Sequence, residues 1–307
     1  MASPAEDTIT AMANSTESLP ASRLTNLSNI ISDELKLFEQ AWDKVSTKLR
    51  RETIHHLVEI AEDDIALNFD GIFKYCLEDA DTEVRNTAIE GLWENEDTPL
   101  IKSLVKLLEQ DISPEVQATA ATALGRFALL AEFGKLRSNY KSIVEKSLLT
   151  AISDRNKTIE VRCRALEAVA TLGQPEVGKA IKEAYESQEP EFKISAINAM
   201  GKNCDPSWLP VLLQEIHSPE AEMRGEAAQA CGELDEEEAV PHLIELVDDP
   251  DTGVALASMQ ALGKIGGEQA KRYLKQCLDD PEDLIKQIAR QALDELEAEE
   301  DPLSFGM

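Results

Sequence analysis

A step of 31 residues recurs through the C-terminal half of the chain and constrains its fold more than any other feature. The phrases Ala199-Met200-Gly201, Ala230-Cys231-Gly232 and Ala261-Leu262-Gly263 follow one another at this interval. A further step forward reaches Ala292-Leu293-Asp294, and a step back reaches Ala168-Val169-Ala170. A fixed period of this length indicates stacked, similar units rather than one closed core.

The residue pattern of each unit predicts two helices joined by a short turn. A Leu-rich segment such as 209–213 comes first, with apolar residues at helical spacing. The second segment carries a small residue at every third position, which allows a neighbouring backbone to pack closely. It occurs seven times, starting at Val84, Val116, Val161, Phe192, Met223, Val254 and Ile285, with a degenerate copy at Leu49.

Ser-Pro or Asp-Pro dipeptides between the two segments predict where the second helices begin. Ser or Asp accepts hydrogen bonds from free N–H groups at a helix start, and Pro fits the first helical position. The dipeptides are Ser113-Pro114, Ser218-Pro219, Asp249-Pro250 and Asp280-Pro281. The repeats therefore predict an all-α solenoid over residues 22–297. One step is longer by about 14 residues, at 126–140, where either longer helices or an extra turn are expected.

The two ends differ from the array. Residues 1–21 are small, polar and acidic without periodicity, so we expect a disordered N-terminal segment. Residues 298–307 form a short acidic C-terminal tail, either a docking peptide or a frayed terminus.

The chain is strongly acidic. It has 30 Lys and Arg against 59 Asp and Glu, a net charge of −29. Such a surface repels phosphate backbones and anionic membranes, so we expect neither nucleic acid nor membrane as partner. It suits a basic protein partner, which long-range attraction would steer in. The alternative is that the charge only keeps a long solenoid in solution.

Cysteine usage and the first residues predict a cytoplasmic protein. The five cysteines are odd in number and form no CxxC motif, as expected of reduced thiols. Residues 1–20 contain no Lys or Arg and no apolar run, unlike a targeting peptide.

No catalytic residue, cofactor site or metal site is predicted. The sequence contains no HxxxH or CxxC metal-ligand motif, no phosphate-binding glycine loop and no nucleophile motif.

The phrase Val-Arg-x-x-Ala-x-x-Ala-Leu-Gly after an Asp-Pro or Ser-Pro turn resembles the HEAT repeat. Its short form, as in residues 248–266, is most similar to the HEAT-like repeats of phycobilisome bilin lyases, and the resemblance covers about 49–296. It implies a right-handed α-α superhelix of about seven to eight helical hairpins, with the second helices on its concave face. It also implies a ladder in which turn acids pair with Arg85, Arg162, Lys193, Arg224 and Lys286.

A polar column runs along these second helices, one position in each repeat. We predict that it contacts a partner, because amide side chains both donate to and accept from a peptide backbone. The alternative is that Gln is simply a good solvent-facing helix former. The predicted partner-binding residues are Glu90, Glu167, Asn198, Gln229, Gln260 and Gln291, together with Trp93, which stands at a glycine position and is either core or an exposed hot spot.

Three hypotheses for the function follow. The first is a non-catalytic scaffold that binds a partner protein on the concave face. The second, which rests on the resemblance, is a subunit of a bilin lyase-type enzyme. The third is an architectural spacer within a larger assembly, which predicts no ligand at all.

Overall fold

The protein is all-α. A computed structural model describes residues 2–279 and 283–300, with side chains up to Leu296, and this part of the chain holds eighteen α-helices and no β-strand. The all-α prediction is therefore confirmed.

Two compact units divide the chain, residues 1–127 with 137–147 and residues 128–136 with 148–307. The first unit contains α1 (Pro4–Asn14), α2 (Ala21–Leu24), α3 (Ser32–Trp42), α4 (Thr47–Asp63), α5 (Asp70–Cys76), α6 (Thr82–Glu90) and α7 (Thr98–Gln110). Two helices contribute residues to both units, α8 (Pro114–Glu132) and α9 (Ser138–Ser153). The second unit contains α10 (Ile159–Val169), α11 (Pro175–Tyr185), α12 (Pro190–Asn203), α13 (Leu209–Glu215), α14 (Ala221–Leu234), α15 (Val240–Leu246), α16 (Thr252–Ile265), α17 (Gly267–Cys277) and α18 (Asp283–Glu300).

From α3 onward the described helices form eight successive pairs, each with a first and a second helix, as the repeats predict. In the second unit the second helices α10, α12, α14, α16 and α18 pack side by side. Their contact faces are built from small and aliphatic side chains, of which Ala165, Ala196, Ala227 and Ser258 are fully buried. Small side chains let these helices lie close together.

A glycine of one second helix faces an alanine of the next in three successive contacts, from α12 to α18. Gly201 faces Ala230, Gly232 faces Ala261 and Gly263 faces Ala292. A Cβ placed on Gly232 would lie 2.9 Å from the Ala261 Cα, and one on Gly201 would lie 2.7 Å from the Ala230 Cα. These separations are too short for any side chain, so the recurring glycine is required by the approach of the next helix. We call this contact the Gly–Ala seam.

The predicted ladder of ion pairs between neighbouring repeats is present. Arg224 binds both carboxylate oxygens of Asp249, at 2.7 and 2.8 Å, and donates to the Ser218 carbonyl. Arg85 binds Asp111 in the same bidentate way, at 2.7 Å for both bonds. Arg162 pairs with Glu189 and Lys193 with Glu215, each at 3.0 Å. Lys286 differs and pairs with Asp283 of its own helix, since it lies in the last of the eight pairs.

Two of the proline dipeptides do not begin helices. α14 starts at Ala221 and α16 at Thr252, two residues after the positions that Ser218-Pro219 and Asp249-Pro250 predict. The reason at the second site is that the Asp249 carboxylate is engaged by Arg224, and Asp251 caps α16 by accepting from the Val254 N–H. Pro114 does begin α8, as predicted, and Asp280-Pro281 lies outside the described residues.

The prediction of a disordered segment over residues 1–21 is wrong for most of its length. α1 is an amphipathic helix that buries Ala5, Ile9 and Met12 and packs on α3. Ser3 caps it reciprocally with Glu6, and the Ser3 hydroxyl also donates to Glu34 at 2.6 Å. The three apolar residues at helical spacing, with the buried Thr8, suffice because α3 offers a surface that α1 covers.

The added residues at 126–140 lengthen two helices. α8 has 19 residues and α9 has 16, whereas α12, α14 and α16 have 14 each. At the other end, α18 continues to Glu300, and residues 301–307 of the predicted acidic tail lie outside the described residues.

Alanine substitution at two glycines of α14 should have opposite effects. Gly232→Ala should lower the free energy of unfolding by about 1–3 kcal/mol, because the new methyl group overpacks the Gly–Ala seam. Gly225→Ala should raise it by up to about 1 kcal/mol, because its Cβ meets only Val254 at 3.8 Å and alanine favours the helix. Urea unfolding measures both, and equal effects of the two variants would contradict the seam.

The ladder should make stability depend on pH. The guanidinium of Arg224 holds the pKa of Asp249 below its usual value. The stabilisation is therefore complete above the unfolded pKa of about 3.9 and is lost as the pH falls through the lower folded pKa. We expect Asp249→Asn to cost about 1–3 kcal/mol at pH 7, with the difference from wild type shrinking below pH 3. Asp248→Asn, at an exposed neighbour, is the control, and a pH-independent difference for Asp249→Asn would refute the mechanism.

Candidate partner-binding surface

The residues of the predicted polar column lie on the second helices, but their exposure differs. Glu90, Gln229, Gln260 and Gln291 are exposed, whereas Glu167 and Asn198 are half-buried. The first group comes from α6, α14, α16 and α18, and the second from α10 and α12. The column therefore contains two kinds of position.

A second column explains this difference. Arg164, Ser195 and Glu226 also lie 31 residues apart, each three residues before a member of the predicted column. The Ser195 hydroxyl donates to Glu167 at 2.7 Å, and the Asn198 amide donates to Glu226 at 2.7 Å. Each bond joins one second helix to the next across 28 residues of sequence.

The same register leaves Gln229 and Gln260 without a hydrogen-bonding side chain on the next second helix. The positions 28 residues after Gln229 and Gln260 hold Ala257 and Ile288, which cannot accept a hydrogen bond from them. Gln229 and Gln260 accordingly make no side-chain hydrogen bond within the described part of the chain and remain exposed. Gln291 bonds only to Glu295 on its own helix, at 3.0 Å.

A groove of about 520 Å³ lies over α10, α12 and α14, where the half-buried pair of the column is located. Glu167 and Asn198 line it, and Glu167 is also paired with Arg164 at 2.9 Å. The remaining lining residues are Ile159, Glu160, Cys163, Arg164, Pro190, Glu191, Ile194, Ser195, Glu222 and Glu226, so Arg164 is the one cation among these wall residues. We refer to it as the acidic groove.

Glu226 is a half-buried carboxylate of this groove without an ion pair among the described residues. Desolvation raises its pKa, and the hydrogen bond from Asn198 only partly opposes that effect. The nearby charge of Glu167 raises the pKa further, while Lys202 lowers it without forming an ion pair. The fold thus holds this carboxylate where hydration is reduced and where no cation among the described residues forms an ion pair with it.

Trp93 lies in the turn that follows α6, with 59% of its surface exposed. The core alternative for this residue is therefore wrong, and an exposed aromatic ring is what a hot spot requires. Trp208 is half-buried and donates from its indole nitrogen to Asn203 at 3.0 Å, which gives it a structural role.

A larger groove, of about 730 Å³, lies beside α9, α11 and the start of α12, but its principal charges are satisfied. Arg162 in its wall donates to Glu189 at 3.0 Å and to the Ile152 carbonyl at 2.9 Å, and its guanidinium lies 4.4 Å from the centre of the Phe192 ring. The ladder pair of Arg162 and Glu189 thus forms part of the wall of this groove.

Within residues 2–279 and 283–300 no group of three or more His, Cys, Asp or Glu side chains is arranged to hold a metal ion. His56 is half-buried and contacts the Ser18 hydroxyl at 3.3 Å, as expected of a packed histidine. No described helix has the length and apolar character needed to cross a membrane. Four cysteines are buried, and Cys204 is exposed just after α12.

The repeats, the ladder and the seam define a HEAT-type array, and comparison with known families agrees. The HEAT repeat family matches residues 69–140 and 209–294, which is just over half of the chain. This protein belongs to the HEAT repeat family. A search of curated proteins gives no match.

Solved structures show the same fold at low sequence identity. The complex of CpcE and CpcF of phycocyanin lyase from Nostoc sp. PCC7120 is 15% identical, with a TM-score of 0.50, over 74% of this chain and 94% of that one. Importin beta is 12% identical, with a TM-score of 0.52, over 94% of this chain but only 46% of importin beta. At these identities the likeness shows the fold alone.

Replacing the uncompensated carboxylate should stabilise the protein. Glu226→Gln keeps an acceptor for Asn198 and removes the charge, so we expect the free energy of unfolding at pH 7 to rise by less than about 1 kcal/mol. Because the folded pKa of Glu226 is raised, the penalty is absent below the unfolded pKa and appears as the pH rises through the folded pKa. The gain should therefore vanish near pH 4.

Glu245→Gln is the matched control, since it removes one negative charge from an exposed position on the first helix α15. An equal gain from both variants would mean that only the net charge matters. A loss of stability in Glu226→Gln would show that the carboxylate is compensated in the folded chain.

Proposed function

We propose that this protein is a non-catalytic scaffold that binds a segment of another protein across its second helices. The observation that carries the proposal is the row of exposed amides at Gln229 and Gln260, on adjacent helices, with no partner in the described chain. An amide both donates and accepts, so it matches the backbone of an extended segment. Such rows on repeat proteins are suited to long, shallow contacts.

The spacing of the row favours an extended ligand. Neighbouring helices lie about 8–10 Å apart, and an extended chain advances about 3.3 Å per residue. A bound segment that crosses the helices would thus bring about every third residue to a glutamine. The acidic groove continues the row through Asn198, so one segment can contact both.

The charge of the chain favours a basic partner. A net charge of −29 attracts cationic proteins over long distances and raises their association rate. The ladder neutralises few of the 59 acids, and the groove contains several that are not neutralised.

The two other hypotheses make different predictions. The lyase hypothesis gains only fold-level support from phycocyanin lyase, and it predicts a coloured complex when the protein is mixed with a bilin. The spacer hypothesis predicts that no partner binds the row of glutamines.

Removing the row should release the partner. We expect the triple variant Gln229→Ala, Gln260→Ala and Gln291→Ala to lose most of the partner that the tagged wild-type protein captures from extracts of its source cells. All three residues are exposed, so the fold and the unfolding midpoint should change little. Quantitative mass spectrometry of the captured proteins measures the loss.

A matched control replaces Gln214, Gln269 and Gln276 by alanine, which makes the same chemical change at exposed positions on the first helices α13 and α17. Capture should be normal in this variant. Equal capture by both triple variants would refute the row as the binding surface, and a wild-type protein that captures no specific partner would favour the spacer.

A further inference from the structure

We propose that the acidic groove receives the side chain of an arginine or lysine from a basic segment of the partner protein, and that Glu226 is its anchor. The inference deepens the scaffold function and rests on it. It names the chemistry of one contact, namely an organic cation with an aliphatic stem.

The first ground is charge complementarity. Of the five carboxylates in the groove, Glu167 is the one that a cation neutralises, through its pair with Arg164. Glu160, Glu191 and Glu222 are exposed to water, which stabilises their charges. Glu226 is half-buried and has neither full hydration nor an ion pair in the described structure. A cation that enters the groove would supply the missing partner.

The second ground is that the fold positions Glu226 before any ligand arrives. The Asn198 amide holds its carboxylate at 2.7 Å, and Asn198 is itself packed so that its Oδ1 is buried without a donor. An acceptor fixed in advance loses little conformational entropy on binding. Orienting one carboxylate by a neighbouring amide is useful when that carboxylate must meet a specific cation.

The third ground is the nature of the lining. Ile159, Pro190 and Ile194 add hydrocarbon to the rim of carboxylates. Arginine and lysine have the matching character, because an aliphatic stem packs on apolar surface while the charged head reaches a carboxylate. These aliphatic groups offer no ligand atoms to a metal ion. The volume of about 520 Å³ is in the range of small-ligand sites and suits one or two residues rather than a whole helix.

The fourth ground is continuity with the row of glutamines. Asn198, Gln229 and Gln260 occupy the same position in three successive repeats. A segment that lies along the exposed amides of α14 and α16 therefore leads to the groove at α12. The acidic groove and the row of glutamines thus form one continuous surface. On this surface the groove is the part that would select a positively charged side chain.

The test is fluorescence anisotropy with a fluorescein-labelled octapeptide of alternating arginine and alanine, at low ionic strength. We expect Glu226→Gln to weaken its binding about fivefold, as expected for the loss of one partly buried charge pair. Glu245→Gln, the equal charge change outside the groove, should leave binding almost unchanged. An octapeptide with citrulline in place of arginine should show no difference between the two variants.

Equal weakening by Glu226→Gln and Glu245→Gln would overturn the inference, because it would reduce the effect to net charge. Unchanged binding in Glu226→Gln, or the same loss with the citrulline peptide, would overturn it too. Unfolding midpoints measured on the same samples exclude a folding defect, since Glu226→Gln should be at least as stable as wild type.

The capture experiment separates this inference from the scaffold function. If the triple glutamine variant loses the partner and Glu226→Gln retains it fully, the scaffold stands and the groove inference fails. If the wild-type protein captures no partner, the scaffold function fails, whatever the peptide does. Loss of the partner in both variants, with normal capture by Glu245→Gln, supports the two together.

Discussion

The close approach of successive second helices is the constraint on which the rest of this structure depends. At Gly201, Gly232 and Gly263 the next helix lies so near that no Cβ fits between them. This contact fixes the register of each helix against its neighbour, because an alanine must stand opposite each glycine. Sliding one helix by a single residue would place a larger side chain at the seam. The constant step of 31 residues between Gly201, Gly232 and Gly263 preserves this register from one repeat to the next.

The fixed register determines which side chains meet on either side of the seam. It brings Arg224 to Asp249 on the turn side, and it brings Asn198 to Glu226 on the second-helix surface. Where the facing residue is polar, the column residue bonds to it and links two repeats. Where it is Ala257 or Ile288, the column residue has no hydrogen-bonding neighbour on the next helix and stays exposed. One residue per repeat thus decides whether the column residue links two repeats or remains exposed.

Much of the fold was predictable from sequence because the same residue pattern recurs in successive repeats. The helix pairs, the small residues of the contact face and the ladder basic residues all recur at the same interval, and the structure places them as expected. The exceptions arise where a residue has an alternative partner. Asp249 follows the rule for a helix cap, but Arg224 offers it two stronger hydrogen bonds, and Asp251 becomes the cap. α1 was missed because its apolar face is short, and this face is stabilised only by packing on α3.

The acidic groove could not be predicted from the sequence, because it depends on contacts between three helices. In a chain with 59 acids, Glu226 has no property that distinguishes it in the sequence. Its importance comes from burial without a cation, and burial there depends on α10 and α12 as well as on its own helix. The ladder acids show the contrast, because the side chains of Asp111 and Asp249 are also largely buried, at 5% and 6% exposure, but each is held by a bidentate arginine. In the proposed function the two features act differently: the net charge attracts a basic partner over a distance, whereas the unpaired, preoriented carboxylate of Glu226 specifies where the cation of that partner binds.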